Sequence, residues 1–183
     1  MLATLARKNT ALGKISSFTD FKTRKVIGTG LIMSSLSYMI QVFGGCSGYL
    51  LHMLQVQQNI AARHITKLGR MTPTKTLLNQ CNWLSVKQLV AYHSIVLLRN
   101  ILQEKKPTYI FNKLNKNLRE TRTTDHLTLY DSRNFKTTTA LKSFIPRTIK
   151  EWNLIPLEIR ATESSELFKR SLKLYIKENI TVK

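Results

Sequence analysis

The sequence predicts a mainly α-helical protein, a helical bundle that carries one irregular Thr/Arg-rich loop with room for a short β-hairpin. Three observations predict it. Apolar residues recur at three-to-four spacing through 47–68, the period of an α-helix, and 86–103 is apolar most of the way round, as a buried helix is. The segments are bounded by Ser, Thr, Pro and Gly at positions that start or stop helices. Strand-like alternation is confined to a short stretch, His126 to Tyr130. Hydrophobic residues make up 43% of the 183, which supplies a core and argues against a wholly disordered chain.

Residues 1–30 are polar, basic and punctuated by Gly13, Gly28 and Gly30, with Leu2, Leu5 and Leu12 placed to share a helix face. Leu31 to Phe43 reads as a mostly buried helix stopped by Gly44-Gly45. Ser47 to Leu68 is the clearest amphipathic helix, with Ser47 or Gly48 at its start and Gly69 at its end. Its inner face is expected to hold Tyr49, Leu50, Met53, Leu54, Gln57, Ile60, Ala61, His64, Ile65 and Leu68. Its opposite face carries Gln55, Asn59, Arg63, Lys67 and Arg70, a stripe that turns basic toward its C-terminal end.

Thr72-Pro73 opens a short helix that ends near Asn79 to Asn82, and Ser85 caps a long one, Val86 to Gln103, apolar most of the way round. Pro107 begins a helix through Leu118 with Lys113, Lys116 and Arg119 outward. Glu120 to Thr139 is the irregular loop. Helix returns over Leu141 to Asn153, Pro156 breaks it, and Thr162 or Ser164 opens a last helix through Ile176 that turns Leu167, Phe168, Leu172, Tyr175 and Ile176 inward.

Charge narrows the function. Lys plus Arg number 29 and Asp plus Glu 10, a formal +19. Up to Gln103 the sole acid is Asp20 against 12 cations, a formal +11; the remainder contributes +8. Such a chain repels itself unless a polyanion neutralises it, so RNA or DNA is the expected partner, through its phosphate backbone, ahead of an acidic membrane or a ribosome. No run approaches the roughly 18 apolar residues of a membrane span. Cys46 and Cys81 are far apart, no CxxC is present, and His52, His64, His93 and His126 are scattered, so neither a zinc site nor a disulfide framework is expected and a reducing compartment, nucleus or cytoplasm, fits. The basic, Ser/Thr-bearing first 25 residues also have the composition of a mitochondrial transit peptide.

Catalytic constellations are wanting. Nucleotidyl transfer needs carboxylates that hold two metal ions about 4 Å apart. The three aspartates, Asp20, Asp125 and Asp131, are never adjacent, and Asp125, Asp131 and Glu120 lie among arginines that would pair with them. A Cys81–His93 nucleophile pair lacks supporting surroundings, and no phosphate-cradling glycine loop or His-Glu-x-x-His is present. The chain is read as no enzyme on its own, with no cofactor and no small-molecule substrate.

Several phrases, in order, resemble the C-terminal third of non-LTR retrotransposon reverse transcriptases of the long interspersed, jockey-like kind. They are Ser34-Ser-Leu-Ser-Tyr38 with Gln41-Val-Phe-Gly44; Leu54-Gln-Val-Gln-Gln-Asn59 with Ala61-Ala-Arg63; Leu77-Leu with Asn82-Trp-Leu84 and Tyr92; Pro107-x-Tyr109; Thr121-Arg122; Glu151-Trp-Asn-x-x-Pro156 with Ile159; and Phe168-Lys with Leu172 to Tyr175. The resemblance implies an RNA-directed DNA polymerase as parent, whose catalytic aspartates would lie upstream. It implies a palm–thumb junction over 1–30, a thumb-like helical domain over 31–118, and a C-terminal loop with packing helices over 119–183. It further implies that Gln55, Asn59, Arg63 and Lys67, then Arg70, and Arg119, Arg122 and Arg133 of the loop, grip RNA or a primer–template duplex. Trp83 and Trp152 either stack on bases or pack in the core; their neighbours favour packing. Two other readings stand beside this one: a helical scaffold that docks on another protein, such as a separate polymerase chain, and a decayed element without a selected role.

Overall fold

The computed structural model describes residues 1–116, 127–131 and 136–179. The protein is mainly α-helical. In chain order the helices are α1 (Leu2–Ser16), α2 (Phe21–Gly28), a π-helical segment (Thr29–Met33), α3 (Ser34–Ser37), α4 (Ile40–Phe43), α5 (Gly48–Thr66), α6 (Thr74–Cys81), α7 (Val86–Glu104) and α8 (Thr108–Phe111). Strands β1 (Leu114–Lys116) and β2 (Leu129–Asp131) follow, then α9 (Thr138–Leu141), α10 (Phe144–Asn153), α11 (Leu157–Arg160) and α12 (Ser165–Asn179). No described helix is long and apolar enough to cross a membrane.

The chain divides into two compact units. The first comprises residues 1–40 and 46–89 and is organised around α5. Leu5 and Leu12 of α1, Ile32 and Leu36, and Leu54, Ala61, Ala62 and Ile65 of α5 are all buried. Close approach to α5 needs glycine: a Cβ on Gly13 would stand 3.0 Å from His64 Cε1, and one on Gly28 only 2.5 Å from Ile65 Cδ1. Gln58 is fully buried on the same face and donates to Leu84 O at 2.7 Å. The expected inner face holds at Leu54, Ala61 and Ile65, is widened by Gln58, and fails in the first turn. Tyr49 and Leu50 are exposed, at 70% and 43%, while Gln58 points in.

Helix ends are set by local chemistry. Ser47 caps α5 by accepting from Leu50 N, as expected. The end of α5 comes at Lys67, a left-handed residue at φ 57, two residues ahead of the expected Gly69. Arg24 of α2 explains the early stop. Its guanidinium, 7% exposed, donates to Ile65 O at 2.8 Å, to Ser16 O at 3.4 Å and to Thr19 O. One cation thus satisfies orphan carbonyls at the C-terminal ends of both α5 and α1, where a positive charge is favoured. The helix expected over Leu31 to Phe43 breaks at Met39, at φ 50, rather than at Gly44-Gly45. Tyr38, Met39 and Val42 there are exposed, which corrects its mostly buried reading.

The second unit comprises residues 41–45 and the described residues from 90 onward. Ile95, Leu98 and Ile101 of α7, Trp152 of α10 and Phe168, Leu172 and Ile176 of α12 form its core. Leu167, expected inward, is 57% exposed. The helix expected from Pro107 to Leu118 ends at Phe111, because Leu114–Lys116 pairs antiparallel with Leu129–Asp131. Trp152 Nε1 donates to Leu127 O at 2.9 Å and Asn153 exchanges bonds with the Leu129 backbone, which anchors β2 to α10.

Candidate nucleic-acid interface

The expected polar stripe on α5 divides into two halves with different surroundings. Gln55 donates to Gln58 Oε1 and Asn59 Oδ1, both at 2.9 Å, and accepts from Val86 N at 2.9 Å. Asn59 donates to Thr74 Oγ1 at 2.9 Å. These two amides tie α5 to the starts of α7 and α6, so their hydrogen bonds are engaged within the fold. Periodicity shows which residues share a face; it does not show that a later helix will dock there.

The basic half is open. Arg63 reaches across the turn after α5 and donates from Nη2 to Arg70 O at 3.2 Å, which brings those two residues together. Its Nε is buried without a partner. Lys67, at the left-handed cap, and Arg70 are exposed. Lys75, in the first turn of α6, is exposed as well, a cation that stripe reasoning on α5 alone missed. α6 begins at Pro73 with no side-chain cap, so its first amide N–H groups are unclaimed by any cap. Arg119, Arg122 and Arg133 lie outside the described residues, as do Glu120 and Asp125.

Within the described residues of the first unit a single acid faces this charge. Residues 1–40 and 46–89 hold eleven Lys and Arg against the single acid Asp20, a formal +10. Asp20 caps α2, accepting from Lys22 N at 3.1 Å and Thr23 N at 3.3 Å. Those contacts, the Thr23 side chain first, hold its carboxyl below the usual 3.8.

Both tryptophans pack. Trp83 is 6% exposed and donates to Thr29 Oγ1 at 3.2 Å; Trp152 is 2% exposed. Neither offers a face for base stacking. Cys81 is a buried free thiol pushed up to about 11 by desolvation, and Cys46 is also free. No group of three or more His, Cys, Asp or Glu among the described residues is placed to hold a metal ion.

Comparisons with known protein families, curated proteins and solved structures find no match to this chain.

Proposed function

We propose that this protein binds nucleic acid without acting on it, gripping the phosphate backbone of RNA or a primer–template duplex at the α5–α6 turn. The observation that carries the reading is the group of Arg63, Lys67, Arg70 and Lys75 beside an uncapped helix start, in a unit whose only acid is occupied elsewhere. Cations and open helical amides together are what a phosphate recognises. The ordered phrases that resemble reverse transcriptases support the choice of nucleic acid over other polyanions, and on this reading the chain is a thumb-like remnant of such an enzyme.

Fluorescence anisotropy with a labelled duplex and a labelled single-stranded RNA tests it. Four phosphate contacts give a slope of log affinity against log salt near −3.6, on the order of 0.9 per phosphate neutralised. Replacing both Lys67 and Arg70 by Glu should flatten that slope by about 2 and weaken all sequences alike. No binding by the unaltered protein near about 50 mM salt sinks the proposal.

Exposed Tyr38, Met39 and Tyr49 favour a second reading, a helical module that docks on another protein chain such as a polymerase. A binding partner lost on substituting Tyr38 and Tyr49 by Ser, with nucleic-acid affinity intact, would favour it.

A further inference from the structure

The corner between α1 and α2 presents an uncovered aromatic ring. Phe18 is 89% exposed, although a phenyl ring is among the side chains that gain most from leaving water. The other large apolar residues of the corner, Ile15 at 38% and Phe21 at 42%, are for the most part covered. Lys25 Nζ stands 6.0 Å from the centroid of the Phe21 ring. Phe18 has neither a cation nor a second ring against it among the described residues.

The backbone that carries this ring is tied down on both sides. Phe18 N donates to Ile15 O at 3.1 Å, and Thr19 Oγ1 donates to the same carbonyl at 3.0 Å. The buried guanidinium of Arg24 donates to Ser16 O at 3.4 Å and to Thr19 O, which flank Phe18. The same guanidinium donates to Ile65 O at 2.8 Å. The corner is thereby fastened to the last turn of α5, two residues before Lys67. A ring on so fixed a backbone loses little freedom when a second flat group settles on it.

Charge indicates what settles there. From Lys14 to Lys25 the cations Lys14, Lys22, Arg24 and Lys25 stand against Asp20, a formal +3, and Asp20 is occupied by the first amides of α2. Lys67 and Arg70 of the adjoining turn are exposed and of the same sign. The matching ligand is a polyanion that also carries flat apolar faces, and a strand with unpaired bases is both. An anionic lipid surface calls for a broad apolar face, whereas here one ring protrudes among covered neighbours. Met71 on the α5–α6 turn is exposed too, but its flexible side chain has no flat face to stack on. We propose that Phe18 stacks on an unpaired base of a strand whose phosphates are held at the α5–α6 turn. The inference rests on the phosphate-binding reading above and narrows its ligand from nucleic acid in general to a strand with at least one unpaired base.

Fluorescence anisotropy of the full chain with two labelled probes of equal length tests it, an oligouridine and an abasic strand that keeps every phosphate but no base. At about 50 mM salt the oligouridine should bind about tenfold more tightly than the abasic strand. Phe18→Ala should bring the oligouridine down to the abasic affinity and leave the abasic strand unchanged, and Phe18→Trp should keep the preference. The exposed position leaves the core intact in both variants. Replacing both Lys67 and Arg70 by Glu should weaken the two probes alike. If the unaltered chain binds neither probe, the phosphate-binding reading fails and the stacking fails with it. Equal binding of the two probes, or a Phe18→Ala chain that keeps the preference, overturns the stacking alone. Co-sedimentation with phosphatidylserine–phosphatidylcholine vesicles that is lost in Phe18→Ala, with the strand preference unmoved, overturns it as well and assigns the ring to a lipid surface.

Discussion

Arg24 shows how much one side chain contributes in the first unit. It is buried, its hydrogen bonds go to backbone carbonyls, and those carbonyls belong to the ends of two different helices. Replacing it by Met keeps the packing volume but leaves Ile65 O and Ser16 O without a donor. Urea unfolding should show a loss of about 3 kcal/mol, since a charge-assisted bond contributes about 1.5–3 and orphaned buried acceptors add to the penalty. His64 makes a different prediction. Its ring lies against Gly13, and burial draws its pKa below 6.5. The folded state therefore favours the neutral imidazole, so the contribution is present above pH 6.5 and is lost as pH falls below it. His93 is lowered in the same way, again by burial. Glu151 works in the opposite sense: burial raises its pKa above 4.5, against the pull of Arg147, so its ionisation weakens the fold as pH rises. Between about pH 7.5 and about pH 5.5 the melting temperature should fall, and His64→Gln should show a smaller fall.

At the scale of the element, the start of α7 is a reciprocal cap. Gln88 N donates to Ser85 Oγ at 3.3 Å while Ser85 N donates to Gln88 Oε1 at 2.9 Å, and both residues are buried. Ser85→Ala should cost about 1 kcal/mol, and the double change with Gln88→Ala should cost less than the sum of the two, because each loss already breaks the pair. An additive result in denaturant midpoints would show two independent bonds. Ser85 was legible in the sequence, as were α5, α7 and α12, because their apolar residues and capping residues agree; α6 was legible from Pro73 and its leucines, but the expected cap at Thr72 does not form. The features that escaped depend on distant partners or on a one-residue phase. Met39 turns the chain with no glycine or proline to announce it. Leu114–Lys116 looks helical until Leu129–Asp131 is available to pair with it. Gln58 points inward beside Gln57 because Leu84 O is there to accept from it, while Gln57 Oε1 accepts from Asn9 of α1.

For the whole molecule, the charge excess was readable at once, whereas the fate of each stripe residue was not. Arg63, Lys67 and Arg70 remain candidates as cations, while Gln55 and Asn59 are engaged by helices that arrive later in the chain. Occupation of the interface should stabilise the fold by mass action, so a saturating oligonucleotide should raise the melting temperature, and less so at about 300 mM salt than at about 50 mM. The solitary acid Asp20, committed to capping α2, carries a consequence for the unliganded protein. Among the described residues of the first unit eleven cations face the single carboxylate of Asp20, so mutual repulsion outweighs attraction. Added electrolyte should therefore make the bare protein more robust even as it strips away the bound polyanion. On the proposed binding, the free and complexed melting temperatures plotted against ionic strength should converge from opposite directions.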